Sequence, residues 1–564
     1  MKTLQIAIAF LLFGIVPMSA LSNYNHQNQD VPLSPSERVE KLIAEYDNEE
    51  TPGGVILVMR DGEVIFDRAF GMANLTYGVP FSVETPTNIG STSKQFTAFA
   101  IGLLEEQGKL SIDDDIRDYI PELPDFGETV RLWHLISHTS GYREYLNTLV
   151  MGGRHLGDHV SSDEVVPMIQ RQPKLQNTPG DAYNYNNTGY ALLAMVVEKV
   201  TEQDFPSWMK ENVFLPLGME NTTVLDHRGR VIPGSAQGYG RDEKENFVKL
   251  ADLSGSMGPG GIYSTVEDLV KWVQNFYKPS VGSKSLIDKM QTSFVKNDGD
   301  SLGYGFGLTI DEKDGLRRVH HGGADIAHRS EFYMFPDIKG AVITQSNNSG
   351  FPGSVALRVA EAFFVDVMDL DEEKPQDPES FEYVAENFDE IVGRYAMEDM
   401  PSFVMEFSRE GDTLFTQATG QGRVQIYASS DSTFYLTIVD AGFTFHRNEN
   451  GEIDAMTLHQ NGDHRAKRIF EPKWVPSEEE LEMYQGRYFS EELETFYTIV
   501  AIEDGSLVLR HRRFDDIPLR AEAKDDYTGS FPITGLRFIR DEDDKVTGFR
   551  ASSGRSFGII FEKQ

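Results

Sequence analysis

The stretch Asn88–Leu110, NIGSTSKQFTAFAIGLLEEQGKL, sets two serines and a lysine at the mouth of an apolar run. Phe96, Phe99, Ala100, Leu103 and Leu104 follow the i, i+3, i+4, i+7, i+8 spacing of one helix face, and Gly108 closes the pattern. Ser93 lies three residues before Phe96 and seven before Ala100, so it points into that packed stripe. Ser91 and Lys94 are three apart and share a different face, one turn from each other. A serine hydroxyl is a weak nucleophile, and an amine one turn away can take its proton or hold the charge of the site. A helix N-terminus also aims backbone N–H groups at a developing oxyanion. Ser-x-x-Lys arises by chance as well, as a surface cap beside a lysine, so the rest of the chain has to complete a mechanism.

Outward from this helix, strands and helices intermix between residues 35 and 369. GGVILVMRDGEVIFDRAFG (53–71) reads as a hairpin, NTGYALLAMVVEKVT (187–201) as a helix, and SEFYMFPD and GAVITQSN as late strands. The expectation is an α/β domain, an antiparallel sheet flanked by helices with a helical region inserted. After the charged, proline-bearing linker DLDEEKPQDPES (369–380) the texture changes to short alternating strands separated by acidic turns. Gly-Arg-Tyr occurs at 393–395 and again at 486–488, and both copies later run through an Arg-Asx turn. Two all-β antiparallel barrels or sandwiches are expected, at 381–473 and 478–564, joined through EPKWVPSEEE.

A chain of 564 residues needs several cores, and 40% apolar residues can fill them. With 89 acidic against 52 basic residues the net charge is −37, which repels nucleic acid and anionic lipid. Residues 1–20 combine Lys2, an apolar run from Ile6 to Val16 and small residues at Ser19 and Ala20, the pattern of a secretory signal peptide. No later segment is apolar enough to span a membrane. Absence of cysteine excludes disulfides and thiolate catalysis. An exported protein, periplasmic or secreted, is the expectation.

Two further segments bear on the chemistry. In PGDAYNYNNTGYALL, Tyr185 and Asn187 stand just ahead of a helix. A tyrosine beside a cationic lysine can have its phenolate favoured and serve as a base, and Asn187 can bond both lysine and substrate. In RRVHHGGADIAHRSEFYMFPD, His321-Gly322-Gly323 opens a strand-like segment where glycines let backbone approach substrate closely. Taken singly, these read as a buried aromatic with a helix cap and as a tight turn. His134 and His138, four apart in HLISH, suggest zinc, but no Glu follows His134 as a zinc protease requires.

Taken jointly, Ser91-Thr92-Ser93-Lys94, Tyr185-Asn186-Asn187 and His321-Gly322-Gly323 resemble the penicillin-recognising serine hydrolases in order and separation. That family includes class C β-lactamases, D-alanyl-D-alanine carboxypeptidases, D-aminopeptidases and related esterases. LWHLISHTSGY (132–142) and VFLPLGMENTTV (213–224) resemble its framing elements, and the likeness covers roughly residues 35–365. The resemblance implies that Ser91 is acylated, that Lys94 and Tyr185 move protons, and that Asn187 orients lysine and substrate. It places His321 and Gly323 on the edge strand beside substrate, with the backbone N–H groups of Ser91 and Ala324 as the oxyanion hole. It implies no cofactor and no metal. Many members carry Lys-Thr-Gly where this chain has His321-Gly322-Gly323. A permanent cation and a hydroxyl are therefore missing, and carboxylate-bearing substrates such as β-lactams are disfavoured.

The domain plan is similar to that of D-aminopeptidases, in which a loop from the last barrel reaches the active site. RRFDDIPL (512–519) and AKDDYTGSFP (523–532) are the candidates for that loop here. The expected function is an exported hydrolase working through an acyl-enzyme on esters, amides or peptides that include D-amino acids. β-Lactamase or carboxypeptidase activity, and a non-catalytic binder or sensor of cell-wall fragments, are the alternatives. The expected partner is a small-molecule or peptide substrate, and the barrels are also suited to protein contacts.

Overall fold

The computed structural model of the protein describes residues 33–564 apart from 156–157, 159, 228, 243, 251–256, 370–380, 382, 399–402, 419–422, 437–440, 461–462, 470–473 and 503–504. The expected signal peptide and nearly all of the linker at 369–380 lie outside the described residues.

A six-stranded antiparallel sheet forms the centre of the first domain. Its order is Thr309–Lys313, Leu316–Ala324, Arg329–Phe335, Gly340–Ser346, Gly54–Arg60, Glu63–Phe70. Side chains alternate across it as a period of two demands. Val55, Leu57 and Met59 enter one core, with the helix Lys94–Glu106; Ile56 and Val58 enter the other. That second core is closed by the helices Pro35–Ile43 and Ser354–Phe363. Each large aliphatic side chain buried this way contributes about 1.5–3 kcal/mol, so both faces of the sheet hold the layers together.

Every residue from Lys94 to Leu104 is buried, so the central helix is enclosed on all sides and not only along its predicted stripe. Ser91 sits just before it, on a 3₁₀ turn spanning Gly90–Ser93. Leu316–Ala324 is second in the sheet, but its pairing with Thr309–Lys313 ends at His320. Residues 321–324 pair only on the other side, with Arg329–Phe332, and so form a free edge facing the serine turn.

Both carboxy-terminal units are closed eight-stranded barrels with strands in sequential order, from Gly393 to Ile469 and from Gly486 to Lys563. Closure leaves no open edge. Aromatic rings fill the interiors: Tyr395, Phe407, Phe443 and Phe445 in the first, Tyr488, Tyr497, Phe549 and Phe561 in the second. The Gly-Arg-Tyr repeat has a structural counterpart. Tyr395 Oη donates to the Ile391 carbonyl at 2.8 Å and Tyr488 Oη to the Tyr484 carbonyl at 2.6 Å, so each barrel pins its first strand in the same way.

The second barrel docks on the first domain through the helix Tyr145–Met151. Met151 is buried in that barrel's core, and Tyr497 Oη donates to its carbonyl at 3.0 Å. Arg143 and Glu492 form an ion pair there with side chains 4% and 8% exposed. Arg520 pairs with Glu406 at 3.0 Å across the two barrels. Among the described residues no helix is long and apolar enough to cross a membrane.

Candidate active site

Lys94 Nζ lies 3.0 Å from Ser91 Oγ, 2.8 Å from Asn187 Oδ1 and 2.8 Å from the Pro259 carbonyl. The last two oxygens only accept, so they take two of its hydrogens. Burial foremost, and then the Arg555 charge, hold the Lys94 pKa well below its ordinary value, with Glu144 opposing them. The third position on Nζ faces Ser91, and loss of a proton there leaves a lone pair aimed at Oγ. Ser93 is fully buried and its Oγ accepts from the Ile262 N–H at 3.3 Å, away from that network.

Asn187 takes its place from the helix it opens. Asn186 caps Asn187–Thr201, accepting from the Gly189 N–H at 3.1 Å and donating to the Tyr142 carbonyl at 2.6 Å. The Asn187 amide is oriented by Glu144, whose Oε1 accepts from Nδ2 at 2.9 Å, leaving Oδ1 for Lys94. Glu144 itself caps Tyr145–Met151, its other oxygen accepting from the Asn147 N–H at 2.8 Å. No local motif marked Glu144. Its only cue is its position directly after the HTSGYR element.

Tyr185 is half-buried, with Lys94 Nζ 4.8 Å from its ring centroid. Its pKa is raised by burial, against which the Ser91 hydroxyl and the Arg555 charge pull down. The phenolate expected from the lysine neighbour is therefore not the resting form: desolvation outweighs the Ser91 hydroxyl and the Arg555 charge, and Tyr185 stands as a phenol. His138 packs on it at 4.3 Å between ring centroids, and His138 Nδ1 accepts from the Asn186 N–H at 3.0 Å. His134 Nδ1 likewise accepts from the Arg131 N–H at 3.0 Å, so each histidine of HLISH holds local backbone.

Gly90 has φ +50°, and a Cβ there would sit 2.5 Å from the Ala324 nitrogen. Only glycine permits this approach, which sets the Gly90 backbone, one residue before Ser91, against Ala324. Gly323 serves the same contact: a Cβ on it would meet the Ile89 carbonyl at 2.0 Å. Its missing side chain makes room for the serine turn. Ser330 Oγ donates to that same Ile89 carbonyl at 2.8 Å and lies 2.9 Å from Thr92 Oγ1, completing the seam.

His321 is buried and engaged at both nitrogens. Nδ1 lies 2.6 Å from the Gly322 carbonyl, an acceptor, so it carries the proton; Nε2 accepts from Tyr304 Oη at 3.1 Å. Burial first, then the charge of Lys94, depresses its pKa to about 3, so the ring is neutral at physiological pH. The free edge thus presents no cation.

RRFDDIPL docks on the first domain away from Tyr185, and in AKDDYTGSFP Asp525 and Tyr527 contact Arg540 and Tyr484 of their own barrel. Arg513 of the first pairs with Asp158 at 2.8 Å, beyond the far end of the helix Tyr145–Met151. The segment at the cleft is the hairpin turn after Val546–Ser553, where the Arg555 guanidinium lies 4.5 Å from the Tyr185 ring centroid.

The beta-lactamase family model matches residues 39–365, more than half of the chain. The chain is 26% identical to penicillin-binding protein 4* of Bacillus subtilis, over 72% of this chain and 93% of that protein. It is 28% identical to a D-aminopeptidase of Brucella anthropi, over 55% of this chain and 59% of that protein. Among solved structures, the octameric penicillin-binding protein homologue from Pyrococcus abyssi superposes with a TM-score of 0.57 at 25% identity, covering 77% of this chain and 99% of that one.

Proposed function

Since the chain belongs to the beta-lactamase family, we propose that it is a serine hydrolase acting through an acyl-enzyme on esters, amides or peptides, D-amino acid derivatives included. One observation carries the reading: two obligate acceptors, Asn187 Oδ1 and the Pro259 carbonyl, take two of the Lys94 hydrogens and leave its third position facing Ser91 Oγ at 3.0 Å, where the deprotonated amine presents its lone pair. Lys94 takes the Ser91 proton as Oγ attacks the carbonyl carbon. The oxyanion is met by the N–H groups of Ser91 and Ala324, a reading supported by the close packing of Gly90, the residue before Ser91, on the Ala324 backbone. Tyr185 gives its phenolic proton to the departing amine or alcohol and is reprotonated from Lys94. Water then cleaves the ester on Ser91 by the reverse relay. The chemistry needs no metal or cofactor.

The substrate class follows from His321. A β-lactam's carboxylate needs a charged partner on the edge strand, and a neutral, fully bonded imidazole does not provide one. Loss of a charge-assisted hydrogen bond costs about 1.5–3 kcal/mol, or roughly ten- to a hundredfold. The similarity to a D-aminopeptidase favours D-amino acid amides. Export belongs to the same proposal and rests on residues 1–20; fractionation of expressing cells checks it. The test of activity is kcat/KM for D-alanine amide, p-nitrophenyl acetate and nitrocefin. Nitrocefin turned over far better than both others would favour the β-lactamase reading. A single stoichiometric reaction without turnover on all three would favour the binder or sensor.

A further inference from the structure

The tip of the hairpin turn at 554–557 is built rather than loose. The Arg555 carbonyl accepts from Asn184 Nδ2 at 2.9 Å and from Gln176 Nε2 at 3.2 Å, and the Phe557 N–H donates to Gln176 Oε1 at 2.6 Å. Ser556 is fully buried, its Oγ donating to the Glu144 carbonyl at 3.0 Å and lying 2.8 Å from Thr148 Oγ1. Arg143 donates to the Phe557 carbonyl. Gly554 takes φ +51°, with Asn147 packed against it. The backbone on both sides of Arg555 is thus tied to the residues that cap and orient the site, while its own side chain is exposed over Tyr185.

That side chain stands out in its charge environment. Acidic residues outnumber basic ones 89 to 52. Arg143, Arg171 and Arg513, which lie at the same domain junction, each pair with a carboxylate. Among the described residues Arg555 makes no ion pair; its guanidinium meets only the face of the tyrosine. A planar fork held over an open cleft, with no internal partner and its backbone already ordered, matches a carboxylate in two-point geometry. Ordering the loop in advance removes a cost that binding would otherwise bear.

We infer that Arg555 forms an anion subsite at the mouth of the cleft, which binds a carboxylate on the leaving-group portion of an amide or peptide substrate. The side follows from Tyr185: in the proposed reaction, on which this inference rests, Tyr185 protonates the leaving group, and Arg555 lies against that ring. The last barrel thereby supplies a cation that His321 does not. An open-chain leaving group has the torsional freedom to turn its carboxylate over Tyr185, which the fused ring of a lactam lacks. The expectation of carboxylate-free substrates is narrowed accordingly: the edge strand offers no charge, but the barrel does.

The test uses the full-length protein and a matched pair, D-alanyl-glycine and D-alanyl-glycinamide, which share a scissile bond and differ in the terminal carboxylate. The wild type should favour the acid by roughly ten- to a hundredfold in kcat/KM. Arg555→Ala should bring the ratio close to one, Arg555→Lys should keep part of it, and Arg555→Glu should reverse it. The same ratio is read without turnover as protection of Ser91 from a fluorophosphonate. A wild-type ratio near one, a ratio unmoved in Arg555→Ala, or no protection by either dipeptide overturns the inference. Loss of fluorophosphonate labelling in Ser91→Ala is the separate control. If label persists there, the proposed reaction fails; if it is lost and the ratio ignores Arg555, only the subsite fails.

Discussion

Truncating Arg143 to alanine isolates the junction that carries the last barrel to the active site. Arg143 donates Nε and Nη2 to the two oxygens of Glu492, and Nη1 to Gln176 Oε1 at 3.3 Å and to the Phe557 carbonyl. With the pair 4% and 8% exposed, solvent screens little. Alanine leaves a buried carboxylate with only the Arg171 charge to oppose its desolvation, which costs up to about 3–5 kcal/mol, or roughly two to three and a half powers of ten in the docking equilibrium. Replacing both partners, as Arg143→Met/Glu492→Leu, should recover most of this, because the pair's own net contribution is small. The cost also depends on pH. Burial raises the Glu492 pKa above its unfolded value, with Arg143 and then Arg171 opposing. A group raised in this way contributes stability below its unfolded pKa and loses it as pH rises through the folded one. Without Arg143 the folded pKa rises further, so the deficit should be small near pH 4 and largest at neutral pH. Urea unfolding of wild type, single and double variants across this range measures it. A deficit under about 1 kcal/mol at pH 7, or one that grows on acidification, would refute the reasoning.

Lys94 and Tyr185 pass one proton along one path, so Lys94→Ala, Tyr185→Phe and the double variant should lose similar amounts of kcat; losses that multiply would separate their roles. Glu144→Gln keeps the shape but presents an amide where both neighbours, Asn187 Nδ2 and the Asn147 N–H, are donors. It should lower the acylation rate roughly ten- to a hundredfold. It should also move the acid limb of the pH–rate profile downward, because Glu144 is the charge that raises the Lys94 pKa against burial and Arg555. An upward shift of that limb in stopped-flow measurements would contradict this.

What the chain revealed by itself was local. Ser91 and Lys94 are one turn apart, Tyr185 and Asn187 stand at a helix start, and Gly-Arg-Tyr marks the first strand of each barrel; periodicity and capping report such features directly. The parts that escaped reading come from convergence in space. Glu144 orients Asn187 across 43 residues, and Arg555 reaches Tyr185 from another domain. The turn holding Arg555 has the same serine and glycine chemistry as other hairpin turns, and nothing in it says which end of the barrel docks. RRFDDIPL does dock, through Arg513 to Asp158, but beyond the Met151 end of the helix whose Glu144 end lies at the site. The ionisation state of Tyr185 is hidden from sequence for a related reason. Burial, its largest cause, is a property of the packed cleft and leaves no mark in the local sequence.

The central claim is that Ser91, and not Ser93, is acylated by a base that is its neighbour on the same turn. Intact-mass and peptide mass spectrometry after exposure to a fluorophosphonate tests it most directly. The account predicts one adduct per chain, on Ser91, retained in Ser93→Ala, lost in Ser91→Ala and strongly slowed in Lys94→Ala. An adduct that persists in folded Ser91→Ala, or one that maps to Ser93, would contradict it.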